Sequence, residues 1–78
     1  MQPELKQIAD INEADFIELL SGETDDFSKG KIYEVEVDTQ GLIFTEDEHF
    51  VYDDLHIPNT EFFYNPQLEI RSYKKISE

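Results

Sequence analysis

Apolar positions along the chain follow two different periods. In "INEADFIELLSG", residues 11–22, Phe16, Ile17, Leu19 and Leu20 recur at helical spacing. Asn12 with Asp15 three residues on is a close relative of a capping box, and Ile11 and Phe16 are placed for a hydrophobic staple. Glu13 and Asp15 sit where a positive helix end favours acids, and Gly22 supplies a stop. The spacing predicts a helix that ends at Gly22. In the preceding "PELKQIAD", Pro3 is placed to open a first helical turn, with Leu5 and Ile8 facing inward.

Beyond the polar stretch "ETDDFSKG", read as a linker closed by Gly30, the period becomes two. In "KIYEVEVD" Tyr33, Val35 and Val37 face one way while Glu34, Glu36 and Asp38 face the other, which predicts a half-buried strand. "DTQG" offers Gly41 to a turn, "LIFTE" returns as a second strand and "HFVYD" makes a third, antiparallel one. Pro58 and Pro66 bracket "NTEFFYN", a single turn whose aromatics are expected to plug an open end of the sheet. "QLEIRSYKK" closes the pattern as a strand with Leu68 and Ile70 inward. One helix followed by four or five short strands defines an α+β domain spanning residues 1–78. Its helical N-terminal part covers 3–22 and its β part 30–75. The expected architecture is an N-terminal helix packed on a small, strongly bent antiparallel sheet or a partly open SH3-like barrel.

Residues 28–72 resemble the small SH3-like barrels of phage and prophage proteins of Gram-positive bacteria. Gly30, Lys31, Tyr33 and Val35 match the opening strand of that pattern, and Glu61, Phe62 and Phe63 sit where its closing turn would be. The resemblance implies a fold and a phage setting, and no activity.

Composition adds a size limit and a charge. A chain of 78 residues buries only about 60% of its unfolded surface, so the core is small. Six Phe and four Tyr, together with the alternation, favour a folded chain over a disordered one. There is no cysteine, hence no disulfide or thiolate chemistry. No apolar run approaches the roughly 18 residues of a membrane span. The opening residues lack the basic and apolar regions of a signal peptide, so a cytoplasmic location is expected, the host cytoplasm for a phage protein. Nineteen acidic against six basic residues give a net charge of −13. Such a field repels nucleic acid and anionic membranes and accelerates encounter with basic surfaces.

The search for chemistry returns little. Glu46, Asp47, Glu48, His49, Asp53, Asp54 and His56 offer oxygen and nitrogen, but not in the order of an EF-hand loop nor at the spacing of a helical zinc pair. No nucleophile elbow or glycine-rich phosphate loop occurs, and with so many acids close carboxylate pairs arise by chance. The reading is therefore a protein without metal, cofactor or catalytic residues. "TEDEHFVYDD", residues 45–54, is expected to be a hairpin whose middle packs inward and whose ends carry charge. Glu34, Glu36 and Asp38 would stand about 6.6–6.8 Å apart along one strand face, comparable in scale to the phosphates of a nucleic-acid strand. With Glu46, Glu48, Asp47, Asp53 and Asp54 they would make two acidic rows flanking a groove, with Tyr64 as an aromatic contact. The expected function is inhibition of a basic, nucleic-acid-binding protein by DNA or RNA mimicry. The alternative is a structural or regulatory adaptor that docks through the aromatic turn, where charge serves solubility alone.

Overall fold

The computed structural model describes residues 4–76. Pro3 lies outside them. Among the described residues, seven strands form two antiparallel sheets, with one helical turn between the last two strands. β1 (Leu5–Ile8), β2 (Phe16–Ser21), β3 (Ile32–Glu34) and β7 (Glu69–Lys75) make a four-stranded sheet in the order β1-β7-β2-β3. β4 (Glu36–Asp38), β5 (Glu48–Tyr52) and β6 (Pro58–Asn59) make the second, in chain order. The single helical turn is α1 (Glu61–Tyr64).

Of the N-terminal helix expected over residues 3–22, nothing is present in the described residues 4–22, and the α+β class and barrel architecture built on it fall with it. The protein is mostly β. Within that segment, residues 11–13 form one 3₁₀ turn, capped by Asp10 rather than Asn12, with the Asp10 carboxylate accepting the Asn12 N–H at 2.9 Å. Phe16–Ser21 is a central strand paired with β7 on one side and β3 on the other. Ile17 and Leu19 are completely buried on its inner face, while Phe16, Glu18 and Leu20 are half-buried on the other. A short apolar run covered on both faces looks the same in sequence whether helical or extended. Here two neighbouring strands claim its backbone groups, which a helix would have kept to itself. Gly22 ends the strand for a packing reason, since a Cβ there would lie 2.7 Å from the Leu68 side chain.

Residues 32–38 do not run as one strand. The ladder breaks at Val35, whose N–H turns to the Asp15 carbonyl (2.9 Å), and the chain passes from the first sheet to the second. The break resets the alternation. Tyr33 is buried and Val35 packs against the core, as the pattern predicts, but Val37 is 44% exposed and Asp38 only 7%. Glu34 is exposed and Glu36 half-buried. "LIFTE" is no strand either: residues 39–47 form a loop, and β4 pairs directly with β5, Val37 opposite His49. In β5 the adjacent Phe50 and Val51 are both buried, on opposite faces. Val51 enters the main core, while Phe50 is covered on the outer face by Phe44 from the loop, ring centroids 5.6 Å apart.

The main core gathers Ala14, Ile17, Leu19, Phe27, Tyr33, Val51, Phe62 and Leu68. Its centre is aromatic. Phe27 stacks on Phe62 at 4.0 Å, and Tyr33 meets the two rings edge-on at 5.0 and 5.6 Å. Phe62 thus enters the core from α1 against Phe27, where the aromatic turn was expected to plug an open end of the sheet. Phe27 comes from the segment read as a polar linker, and it makes that linker part of the core. Phe27→Ala should lower the unfolding free energy by about 3–5 kcal/mol through lost burial and a residual cavity. Val37→Ala should change it by less than about 0.5 kcal/mol. Urea denaturation separates the two, and comparable losses would return Val37 to the interior.

Candidate functional site

The acids singled out in sequence serve two opposite purposes. Asp38, at the end of β4, turns its carboxylate into the 39–47 loop. Its two oxygens accept the consecutive N–H groups of Leu42, Ile43 and Phe44 at 2.9, 2.8 and 2.7 Å. Its carbonyl accepts the N–H groups of Gly41 and Asp47. Gly41 is needed for the tight path: φ is +68°, and a Cβ would meet the Glu46 nitrogen at 2.9 Å. The Phe44 N–H does most to hold the Asp38 carboxyl below its ordinary range, with burial opposing and the other N–H groups assisting.

Asp53 plays the same part at the far end of β5. Its carboxylate accepts the N–H groups of Leu55 and Ile57 at 2.9 and 3.0 Å and the Asn59 amide at 3.3 Å. Burial pushes its carboxyl up, and these donors more than offset that, leaving it below the usual value. Asp54 joins the molecule's two halves, accepting from Ser28 Oγ (2.7 Å), Lys31 Nζ (2.9 Å) and the Tyr33 hydroxyl (2.8 Å). Together, Ser28 first, they lower its carboxyl to about 2.

Glu48 begins β5, where Thr45 Oγ1 donates to it at 2.6 Å and the Tyr64 hydroxyl donates from α1. Thr45 first, then Tyr64, hold the Glu48 carboxyl low. So Tyr64, Glu48, Asp38, Glu46 and Asp47 do come together, at the hairpin end of β5. Asp53 and Asp54 stand at the other end, about 17 Å away along five residues of strand. The two acidic rows flanking a groove are therefore not formed. Asp38 and Asp53 are buried in their loops, and of the acids singled out in sequence only Glu34, Glu36, Glu46 and Asp47 keep carboxylates free of any side-chain hydrogen bond or ion pair among the described residues. The same residues contain no group of three or more metal-ligating side chains.

What the sequence reading missed is apolar. The loops braced by the two aspartates carry Leu42 (80% exposed) with Ile43, and Leu55 (70%) with Ile57. Between them on the outer face of the second sheet runs an aromatic strip, Phe44, Phe50 and Tyr52, with successive centroids 5.6 and 5.4 Å apart. Tyr52 is exposed at its end. The pairing register puts Glu36 and Glu48 on that same face, and Glu46 and Asp47 sit on the loop beside it. The face thus combines exposed apolar and aromatic side chains at its centre with acids at its margin. The available signal was an aspartate followed four to six residues on by consecutive apolar residues, but at the end of an apparently unbroken alternation the aspartate reads as solvent-facing.

Comparison with protein-family models, curated proteins and solved structures finds no match. The resemblance to SH3-like barrels rests on its own residues alone.

Asp38→Asn should lower the urea midpoint at neutral pH, because one oxygen acceptor and the charge that binds three N–H groups are lost. Glu46→Gln, on the same loop, should leave it unchanged or raise it. Acid should act through Asp54. Its carboxyl is depressed in the folded state, from 3.8 to about 2. Its stabilisation is therefore complete above about pH 4 and disappears as pH falls towards 2. Midpoints measured across that window should drop for the wild type and less for Asp54→Asn, already the weaker protein at pH 6. Parallel curves would remove Asp54 as the source.

Proposed function

We propose that the protein is a small acidic binding protein that docks on a basic, nucleic-acid-binding protein and competes with nucleic acid for that surface. The observation that carries this reading is a surplus of unengaged charge. Glu23, Asp25, Glu34, Glu36, Glu46 and Asp47 have no ion pair or side-chain hydrogen bond among the described residues, in a chain of net charge −13. Carboxylates that do no internal work cost stability through mutual repulsion, and a basic partner removes that cost on binding. Direct binding of nucleic acid is opposed by the same field.

The mode of docking differs from a phosphate-by-phosphate imitation, since Asp38 is turned inward and breaks the row with Glu34 and Glu36. Leu42, Ile43, Tyr52, Leu55 and Ile57 supply the contact area, and the surrounding acids supply steering and register. Both loops are held in place by buried aspartates, so little conformational freedom is lost on docking. A groove that ordinarily holds DNA or RNA in a nuclease, CRISPR effector, repair enzyme or polymerase offers the complementary charge. The phage setting implied by the sequence resemblance fits an inhibitor of such a host protein.

A partner captured from bacterial lysate should be released by raising salt and displaced by DNA or RNA. Glu46→Lys with Asp47→Lys should slow association more than it speeds dissociation. Leu42→Ser with Leu55→Ser should act the other way, raising the dissociation rate at unchanged melting temperature. A partner that ignores salt, tolerates both double variants and binds together with nucleic acid would sink this function.

A further inference from the structure

The acidic field has a gap. Of the six basic residues in the chain, four lie on the antiparallel pair β1–β7: Lys6, Arg71, Lys74 and Lys75. Lys6 and Lys74 are direct cross-strand partners, an arrangement that costs stability because like charges face one another. Lys74 turns to the 3₁₀ turn, donating to the Glu13 carbonyl at 3.2 Å, and Arg71 reaches Glu18 at 4.0 Å on the opposite face of the sheet. Lys6 is exposed and has no carboxylate partner among the described residues.

Lys6 stands on an edge with open hydrogen-bonding groups. β1 is the terminal strand of its sheet, paired among the described residues only with β7. The Ile76 N–H donates to the Glu4 carbonyl, so the pairs that exchange ladder bonds are the alternate ones, Lys6 with Lys74 and Ile8 with Ser72. The N–H and C=O groups of Leu5 and Gln7 consequently point away from β7, and no backbone partner takes them among the described residues. Against the inner face of this edge lies an open cleft of about 630 Å³, with Ile8, Ile11, Phe63, Pro66, Leu68 and Ile70 in its walls. Ile8 and Lys6 share that face.

We propose that the β1 edge and its cleft form a second binding site, which takes an extended segment of a partner protein as an added antiparallel strand. The chemistry of the segment follows from the register. Side chains directed to the cleft side lie opposite Ile8 and Lys6, two residues apart, so the segment carries an apolar residue followed, after one intervening position, by a carboxylate. Four backbone hydrogen bonds to Leu5 and Gln7 give the pairing, and the cleft and Lys6 give the selection. A lysine on an edge strand ordinarily guards against unwanted pairing. In a chain of −13 it discriminates by sign, excluding basic strands and admitting acidic ones. The site is independent of the loop face and of opposite charge, so either can fail without the other.

The test uses two blocked heptapeptides, IYEVEVD, which has the required apolar-x-acid spacing and equals residues 32–38, and its counterpart IYKVKVK. Titration of the intact ¹⁵N-labelled protein is followed by NMR near 0.15 M salt, where charges beyond about 8 Å are screened. The acidic peptide should shift the Leu5 and Gln7 amides saturably and slow their hydrogen exchange, and the basic peptide should not. Lys6→Glu should weaken binding by roughly two- to twentyfold, from exchanging an attractive for a repulsive cross-strand pair. Gln7→Pro removes an outward N–H at a position where an edge strand tolerates proline, and should abolish binding with the spectrum still dispersed. If Gln7→Pro does not fold, the Lys6→Glu arm decides alone. Absence of a saturable shift, shifts confined to the 39–47 and 54–57 loops, equal binding of both peptides, or indifference to Lys6→Glu would each overturn the proposal. So would concentration-dependent association of the protein alone that Lys6→Glu removes, because the edge would then be filled by a second copy.

Discussion

Backbone N–H groups in a loop must find acceptors, and here two buried aspartates supply them. Asp38 gathers three consecutive N–H groups of the 39–47 loop, and Asp53 holds the turn that follows β5. With both flanking loops fixed, β5 is fixed too. That strand is covered on one face by the core around Val51 and on the other by Phe44 over Phe50. The position of α1 follows, since Phe62, stacked on Phe27, joins Val51 in the core and Tyr64 bonds to Glu48 at the start of the strand. A carboxylate that accepts several N–H bonds is stronger in this role than a neutral acceptor, which explains why the chain places charge where burial would otherwise forbid it.

The same chemistry separates two groups among the acids of the described residues. Asp38, Asp53, Asp54 and Glu48 are engaged by backbone, hydroxyl or lysine donors and organise the fold. Glu23, Asp25, Glu34, Glu36, Glu46 and Asp47 are unengaged and project the field. Basic residues are just as unevenly placed, with four on β1–β7 and with Lys31 committed to Asp54. Exposed apolar side chains thus sit among free acids on the loop side, while the open β1 edge carries a lysine without a carboxylate partner among the described residues, beside an apolar cleft.

The errors of the sequence reading share one origin. "FIELLS" has a helical apolar stripe, yet β3 and β7 take its backbone into a sheet. "YEVEVD" alternates without fault, yet the turn of Val35 toward Asp15 resets the phase, so Val37 goes out and Asp38 goes in. Phe27 looked isolated in a polar segment, and its partners Tyr33 and Phe62 lie six and thirty-five residues away in sequence. Each outcome was decided by pairing between distant segments, to which local periodicity is blind.

What the sequence determined by itself was whatever depends on one residue type or its near neighbours. The charge and its sign, the absence of thiol chemistry, the burial of Tyr33 and Leu68, the glycine turn at Gly41 and the single aromatic turn between two prolines were all legible. Helix or strand at residues 16–21, the face of each acid and the pairing of β1 with β7 were left to the tertiary structure. A carboxylate looks solvent-facing in any local window. Only the folded chain brings the donors that make burial at Asp38 and Asp53 favourable, and only the completed sheet leaves one edge open beside a lysine.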